Sequence, residues 1–276
     1  IFVMDEKRAL SQDIRPLQLV ILNLMPLKEE TELQILRALS NTPLQVDCTF
    51  LMLSTYVSKN TSASHINKFY VNFEDIRKHK YDGMIITGAP VENMEFEDVD
   101  YWEELKSIMD WSTTHVHSTL HICWGAQAGL YFHYGIPKYP REKKLNGVYS
   151  HKVLHHKVPL VRGLDDYVMC PHSRYTEVRS EDIRKHEDLN ILAESEEAGV
   201  LLVVNEDGSR IFIQGHPEYD RMTLNNEFHR DQVRGLNPEL PCHYYPDDNP
   251  ENRPVLTWRN RCSAGAPMPI FCTPTG

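Results

Sequence analysis

Hydrophobic positions in the first half of the chain alternate between two periods. "LQLVILNLM" (Leu17–Met25) is a near-continuous apolar run, the pattern of a strand covered on both faces. "KEETELQILRAL" (Lys28–Leu39) instead spaces leucine and isoleucine for one helical face and puts acidic residues in the first turn, as a helix start prefers. "LQVDCTFLML", "YDGMIITGAP" (Tyr81–Pro90) and "TLHIC" read as three further strands, with "VDYWEELKSIMDWSTTH" as an amphipathic helix before the last. Such alternation predicts right-handed crossovers, a mostly parallel sheet and helices on both faces, an α/β fold. The second half changes character. "GVYSHKVLHHK", "YVMCPHSRY", "LNILAESEEAGVLLVVNEDG" and "SRIFIQGHPEYD" are strand-like pieces joined by turns, expected to complete one edge of the sheet in partly antiparallel fashion. "TLNNEFHRDQV" (Thr223–Val233) returns to a helical pattern, and the Pro-, Asp- and Asn-rich chain after Pro238 reads as extended coil.

Composition narrows the class. With 276 residues the chain can bury a large core, and with no internal repeat or linker one domain is expected. A net charge of −10 argues against a nucleic-acid or anionic-membrane binder. No stretch approaches the ~18 apolar residues of a membrane span. The opening "IFVMDEKRAL" does not read as a signal peptide, because charges follow after four apolar residues, and without a methionine at position 1 an upstream piece is expected to be missing. Six scattered cysteines without a C-x-x-C pair fit reduced thiols in the cytoplasm.

Cys123 ends a predicted strand and opens a predicted helix. There its sulfur would be exposed at the sheet's carboxyl edge, where open parallel sheets collect ligands, and the helix N-terminus would favour a thiolate. Gly125 suits a tight strand-to-helix turn, although the glycine that a G-x-S-x-G elbow carries two before its nucleophile is absent. The same features fit a small buried cysteine. His216 and Glu218 stand two apart at the end of the apolar run "RIFI", so on a strand they would face the same way, the carboxylate fixing the imidazole tautomer. A solvated turn histidine is the plainer alternative. The histidine-rich stretches "HVHSTLH" and "HKVLHHK" lack acidic or cysteine partners at ligand spacing, so no metal site is expected.

Taken in order, "TGAPVE", "HICWGAQAGL", "EKKLNGVYSH", "PHSRY" and "GHPEYD" resemble the homoserine O-acyltransferases of methionine biosynthesis, whose fold is similar to the class I glutamine amidotransferases and flavodoxin-like. The resemblance covers 1–259, expected as a single α/β acyltransferase domain. It implies Cys123 as acyl-accepting nucleophile, His216 as general acid/base and Glu218 as its orienting partner, with backbone N–H groups at Gly88, Ala89 and Trp124 as oxyanion hole. It further implies Lys144 and Ser173 beside the substrate, Glu227 gripping the homoserine amine and Arg230 its carboxylate. On the predicted helix Glu227 and Arg230 share a face, which also fits a plain ion pair. Arg141 and Lys143 are candidates for CoA phosphates from charge alone. L-Homoserine and acetyl-CoA are the expected substrates, acetyl-CoA as co-substrate with no cofactor, and a homodimer is the expected assembly. A non-catalytic relative and a cysteine amidase are the alternatives from other classes.

Glu92 bears on the acyl donor. In the family glycine here accompanies succinyl transfer and glutamate acetyl transfer. Succinyl-CoA ends in a carboxylate, and a second carboxylate ~4 Å away at an effective dielectric of ~20 repels it by about 4 kcal/mol. Acetyl transfer is therefore expected, with succinyl transfer as the alternative. After Arg259 the family continues in an aromatic, apolar helix, whereas this chain reads "NRCSAGAPMPIFCTPTG". Its prolines exclude a helix, so 260–276 is expected to be an atypical disordered tail, as after a shifted reading frame.

Overall fold

The computed structural model describes residues 15–42, 44–55, 61–254 and 257–258; the tail expected over 260–276 lies outside them. Along the chain run β1 (Leu17–Leu22), α1 (Lys28–Leu39), β2 (Val46–Leu51), α2 (Ala63–Phe69), β3 (Tyr70–Val71), α3 (Phe73–Ile76), β4 (Tyr81–Ile86), α4 (Trp102–His115), β5 (Val116–Ile122) and α5 (Trp124–Tyr134). Then follow β6 (Tyr139–Val153), β7 (Tyr167–Glu177), α6 (Ser180–Ile183), β8 (Leu189–Ser195), β9 (Gly199–Asn205), β10 (Arg210–Ile213) and α7 (Thr223–Val233).

The strands form one ten-stranded sheet in the order β3-β2-β1-β4-β5-β10-β9-β8-β6-β7. From β3 to β10 all pairs are parallel, and the remaining four, from β10 to β7, are antiparallel. The run β2-β1-β4-β5-β10 has the flavodoxin-like order, with its reversal between β1 and β4. Strand alternation sorts the core into layers. Val20, Leu22, Met84 and Ile86 pack with Leu105, Ile108 and Met109 of α4, while Ile21, Ile85, Leu120 and Ile213 pack with Ile35 and Leu39 of α1. Burial of each such side chain contributes about 1.5–3 kcal/mol.

His121 occupies an apolar slot in this scheme. It lies on β5 between Leu120 and Ile122, so its ring turns to the opposite face, where it stacks on Phe212 at 4.8 Å between centroids. Gly129 of α5 makes room: a Cβ there would lie 2.7 Å from His121 Cδ2. Burial pushes His121 down to about 3 and the neighbouring His133 down to about 4. Both are neutral in the folded chain, whereas an unfolded histidine takes a proton near pH 6.5. Their contribution is therefore complete above pH ~6.5 and is lost as pH falls toward those values, about 2 kcal/mol per histidine at pH ~5. Urea unfolding at pH ~7 and ~5 should show that loss, smaller by about 2 kcal/mol in His133→Leu; equal losses in both proteins would exclude it.

Candidate active site

Three neighbouring parallel strands end together. After β4 comes Thr87-Gly88-Ala89, after β5 Cys123, and after β10 Gln214-Gly215-His216. The Thr87 hydroxyl accepts the Leu24 N–H at 2.8 Å, and the Cys123 N–H donates to the Ile213 carbonyl at 2.8 Å, tying these exits together. Cys123 sits at φ 52°, ψ −116°, a conformation side chains rarely adopt, and its carbonyl accepts the Ala126 and Gln127 N–H groups at 3.0 and 3.1 Å. The nucleophile position is thus a strained elbow at the mouth of α5, whose first N–H groups have no intrahelical acceptor. Glycine is needed at 125, because a Cβ there would lie 2.6 Å from the Thr87 carbonyl oxygen. At Gly88 the ideal Cβ position is 3.3 Å from Cys123 Cβ and 3.5 Å from His216 Cε1, so this glycine backs directly onto both side chains.

Cys123 and His216 both back onto Gly88 and act on each other electrostatically, and His216 Nδ1 donates to Glu218 Oε1 at 2.7 Å. Tyr219 stacks on the imidazole at 4.2 Å. Burial would push His216 down, but the Cys123 thiolate and the Glu218 carboxylate together hold it well above the ordinary histidine value. Two expectations need correction. The sulfur is not exposed: Cys123 is 6% accessible, packed in the core with Ile122, Cys170 and Ile213. Nor do His216 and Glu218 share a strand face. β10 stops at Ile213, and the pair is brought together by a turn closed by Tyr219 N–H on the His216 carbonyl.

Beside these strand ends β6 and β7 bring the remaining candidates together. Pro171 accepts the His216 N–H at 2.8 Å, while Cys170 Sγ would be 2.5 Å from a Cβ on Gly215. Ser173 donates to Glu227 Oε2 at 2.6 Å, and Tyr219 donates to Glu227 Oε1 at 3.0 Å. Glu227 thus turns to the site, and Arg230 Nε instead bonds Asp231 at 2.8 Å. Lys144 Nζ lies 3.7 Å from Asp231 and 5.5 Å from the Tyr175 ring centre. Glu92 accepts the Tyr175 N–H at 2.8 Å. Burial pushes its carboxyl up, opposed by that bond and by the charges of Lys144, His216 and Arg174. Arg141 is engaged by Glu177, and Lys143 lies 2.6 Å from Glu239. Sequence patterning missed Arg174 and Tyr219; both stand within quoted motifs, but nothing in their spacing marks them as buried. Among the described residues no group of three His, Cys, Asp or Glu side chains could hold a metal. The constellation is chemically complete for acyl transfer through a thiol: a strained cysteine, a histidine charged by it, and a carboxylate behind.

A family model described as HTS, homoserine O-succinyltransferase, matches residues 1–264. The chain belongs to this family. Among relatives of this homoserine O-succinyltransferase family member are proteins named homoserine O-acetyltransferase from Lachnoclostridium phytofermentans, 62% identical over 96% of this chain and 88% of that one. A second, from Methanomethylophilus alvi, is 59% identical over 94% and 84%. The fold is that of the glutamine amidotransferases. A glutamine amidotransferase of Thermotoga maritima superposes with TM-score 0.57 at 12% identity, covering 82% of this family member and 87% of that chain. The glutaminase domain of Trypanosoma brucei CTPS gives TM-score 0.52 at 13% identity, over 81% and 95%. Among the described residues no helix is long and apolar enough to cross a membrane.

Proposed function

We propose that the chain is a homoserine O-acetyltransferase that carries the acetyl group on Cys123. The observation that carries the reading is Cys123 beside His216, itself hydrogen-bonded to Glu218, at the ends of β5 and β10, with Glu92 in electrostatic reach of His216. The thiolate attacks the thioester carbonyl of acetyl-CoA, and N–H groups of Gly88, Ala89 and Trp124 receive the oxyanion. The carbon–sulfur bond to CoA breaks, and the His216 imidazolium gives its proton to the departing CoA thiolate. Acetylation removes the negative charge from Cys123. One of the two charges that hold the His216 proton is then gone while burial still opposes it, so the imidazole is left neutral. It then takes the proton of the homoserine γ-hydroxyl as that oxygen attacks the acyl-cysteine. Glu227 holds the substrate amine, Arg230 its carboxylate, and Lys144 and Ser173 line the pocket. The chemistry needs no metal or cofactor, belongs in the cytoplasm, and fits a homodimer as well as a monomer.

CoA release with homoserine, compared for acetyl- and succinyl-CoA, tests the reading: a preference for succinyl-CoA assigns succinyl transfer instead, and ammonia release from glutamine an amidase. Glu92→Gly should lower the acetyl-over-succinyl preference in kcat/KM by about a thousandfold, since about 4 kcal/mol of repulsion is at stake. An unchanged preference would remove Glu92 as the selector.

A further inference from the structure

Arg174 is 1% exposed, and no step of the acyl transfer uses it. Its Nε donates to His172 Nδ1 at 3.3 Å, Nη1 to the Thr176 carbonyl at 2.6 Å and Nη2 to the Ala198 carbonyl at 2.6 Å. Two of these acceptors lie two residues to either side on β7, so the guanidinium brackets the strand from 172 to 176. The third pins that stretch to the turn between β8 and β9. Within the bracket, the Tyr175 N–H reaches Glu92 at 2.8 Å and the Thr176 hydroxyl donates to Gln127 of α5 at 2.8 Å. All three acceptors of the guanidinium are neutral, a poor return for burying a charge if bracing a strand were its whole role. The anionic groups whose fields reach it are Cys123, Glu177 and Glu92.

We propose that Arg174 is a positioning residue for acyl-donor choice, aligning the Tyr175 N–H on Glu92 and keeping Glu92 a carboxylate that repels a donor with a distal negative charge. This rests on Glu92 being the selector, as proposed above. The groups facing Glu92 are Lys144 on β6, Arg174 and Tyr175 on β7, His216 after β10, and Lys138, whose Nζ donates to the Glu92 carbonyl at 2.7 Å. Burial alone works against ionisation. Without the guanidinium, burial is less opposed, so Glu92 takes up a proton at higher pH and ceases to repel.

The test compares Arg174→Gln, which keeps amide donors without charge, with Arg174→Lys, which keeps the charge. Acetyl- and succinyl-CoA serve as donors at pH ~6 and ~8. Arg174→Lys should match the wild-type acetyl preference at each value. Arg174→Gln should fall severalfold below the wild type in that preference, with the gap closing as pH rises until Glu92 is ionised in both proteins. A merely structural arginine would slow both donors alike and leave the ratio unmoved, and that result overturns the proposal. Should Arg174→Gln not fold, the infrared difference spectrum of wild type minus Glu92→Gln at neutral pH decides. An ionised carboxylate band is expected, and a protonated carboxyl band overturns the proposal. A wild type without donor preference would count against the acetyl reading, while the infrared spectrum would still report the charge of Glu92.

Discussion

Cys123→Ser should leave a folded protein that turns over acetyl-CoA and homoserine at least about 10⁵-fold more slowly, the scale seen when a nucleophile is removed from a triad. One buried sulfur becomes oxygen at a position 6% exposed, so packing changes little. The chemistry changes much more. A serine hydroxyl stays protonated where a thiol ionises, and it can only be activated by a neutral histidine acting as base. In this site the Cys123 thiolate is one of the two charges that hold His216 above its ordinary value against burial. Removing it leaves a neutral imidazole facing a poor nucleophile. Intact-mass spectrometry after mixing with acetyl-CoA alone should show one acetyl group on the wild type and none on Cys123→Ser. Acetylation of the variant, or turnover near the wild-type rate, would dismiss the covalent route.

Regular elements were legible where one period dominates and blurred where tertiary contacts decide. Helices Lys28–Leu39 and Thr223–Val233 occur where their spacing predicts them, and the apolar runs around Val20, Ile85 and Leu120 are strands buried on both faces. The segment from Ala63 to Ile76 was not legible. Phe69, Tyr70, Val71 and Phe73 crowd together without a period, and only Tyr70 and Val71 form a strand, on the sheet edge, between two short helices. At the site, the pairing of His216 with Glu218 was readable from their separation, but its cause was not, because a turn produces the same proximity that a strand face would. Lys144, Ser173 and Glu227 were nameable only through the family resemblance. They lie on the paired strands β6 and β7 and on α7, and no local pattern in the sequence marks them as parts of one site. Arg174 illustrates the remaining gap. Nothing in "PHSRY" marks it as buried, and one of its partners, the Ala198 carbonyl, comes from a turn contributed by another pair of strands.

Glu218→Gln should slow acetylation of Cys123 by about 10³- to 10⁴-fold, the scale found when the orienting carboxylate of a triad becomes an amide. Glu218 accepts the Nδ1 proton at 2.7 Å, which leaves the other ring nitrogen for the cysteine. An amide in its place offers either a neutral acceptor, which keeps the tautomer without the charge, or an N–H donor, which reverses the tautomer and turns a protonated nitrogen toward Cys123. The pH signature separates this from simple loss of packing. Glu218 is the second of the charges that raise His216 against burial, so its removal lowers the imidazole's proton affinity. The His216 ring-carbon resonance, followed by NMR, should therefore titrate at lower pH in Glu218→Gln than in the wild type. Burial is nearly unchanged by the exchange, so packing alone would not move that titration. A variant that acetylates at the wild-type rate, or whose His216 titrates unchanged, would show that the carboxylate neither orients nor charges the imidazole, and the base in the proposed second step would have to be sought elsewhere.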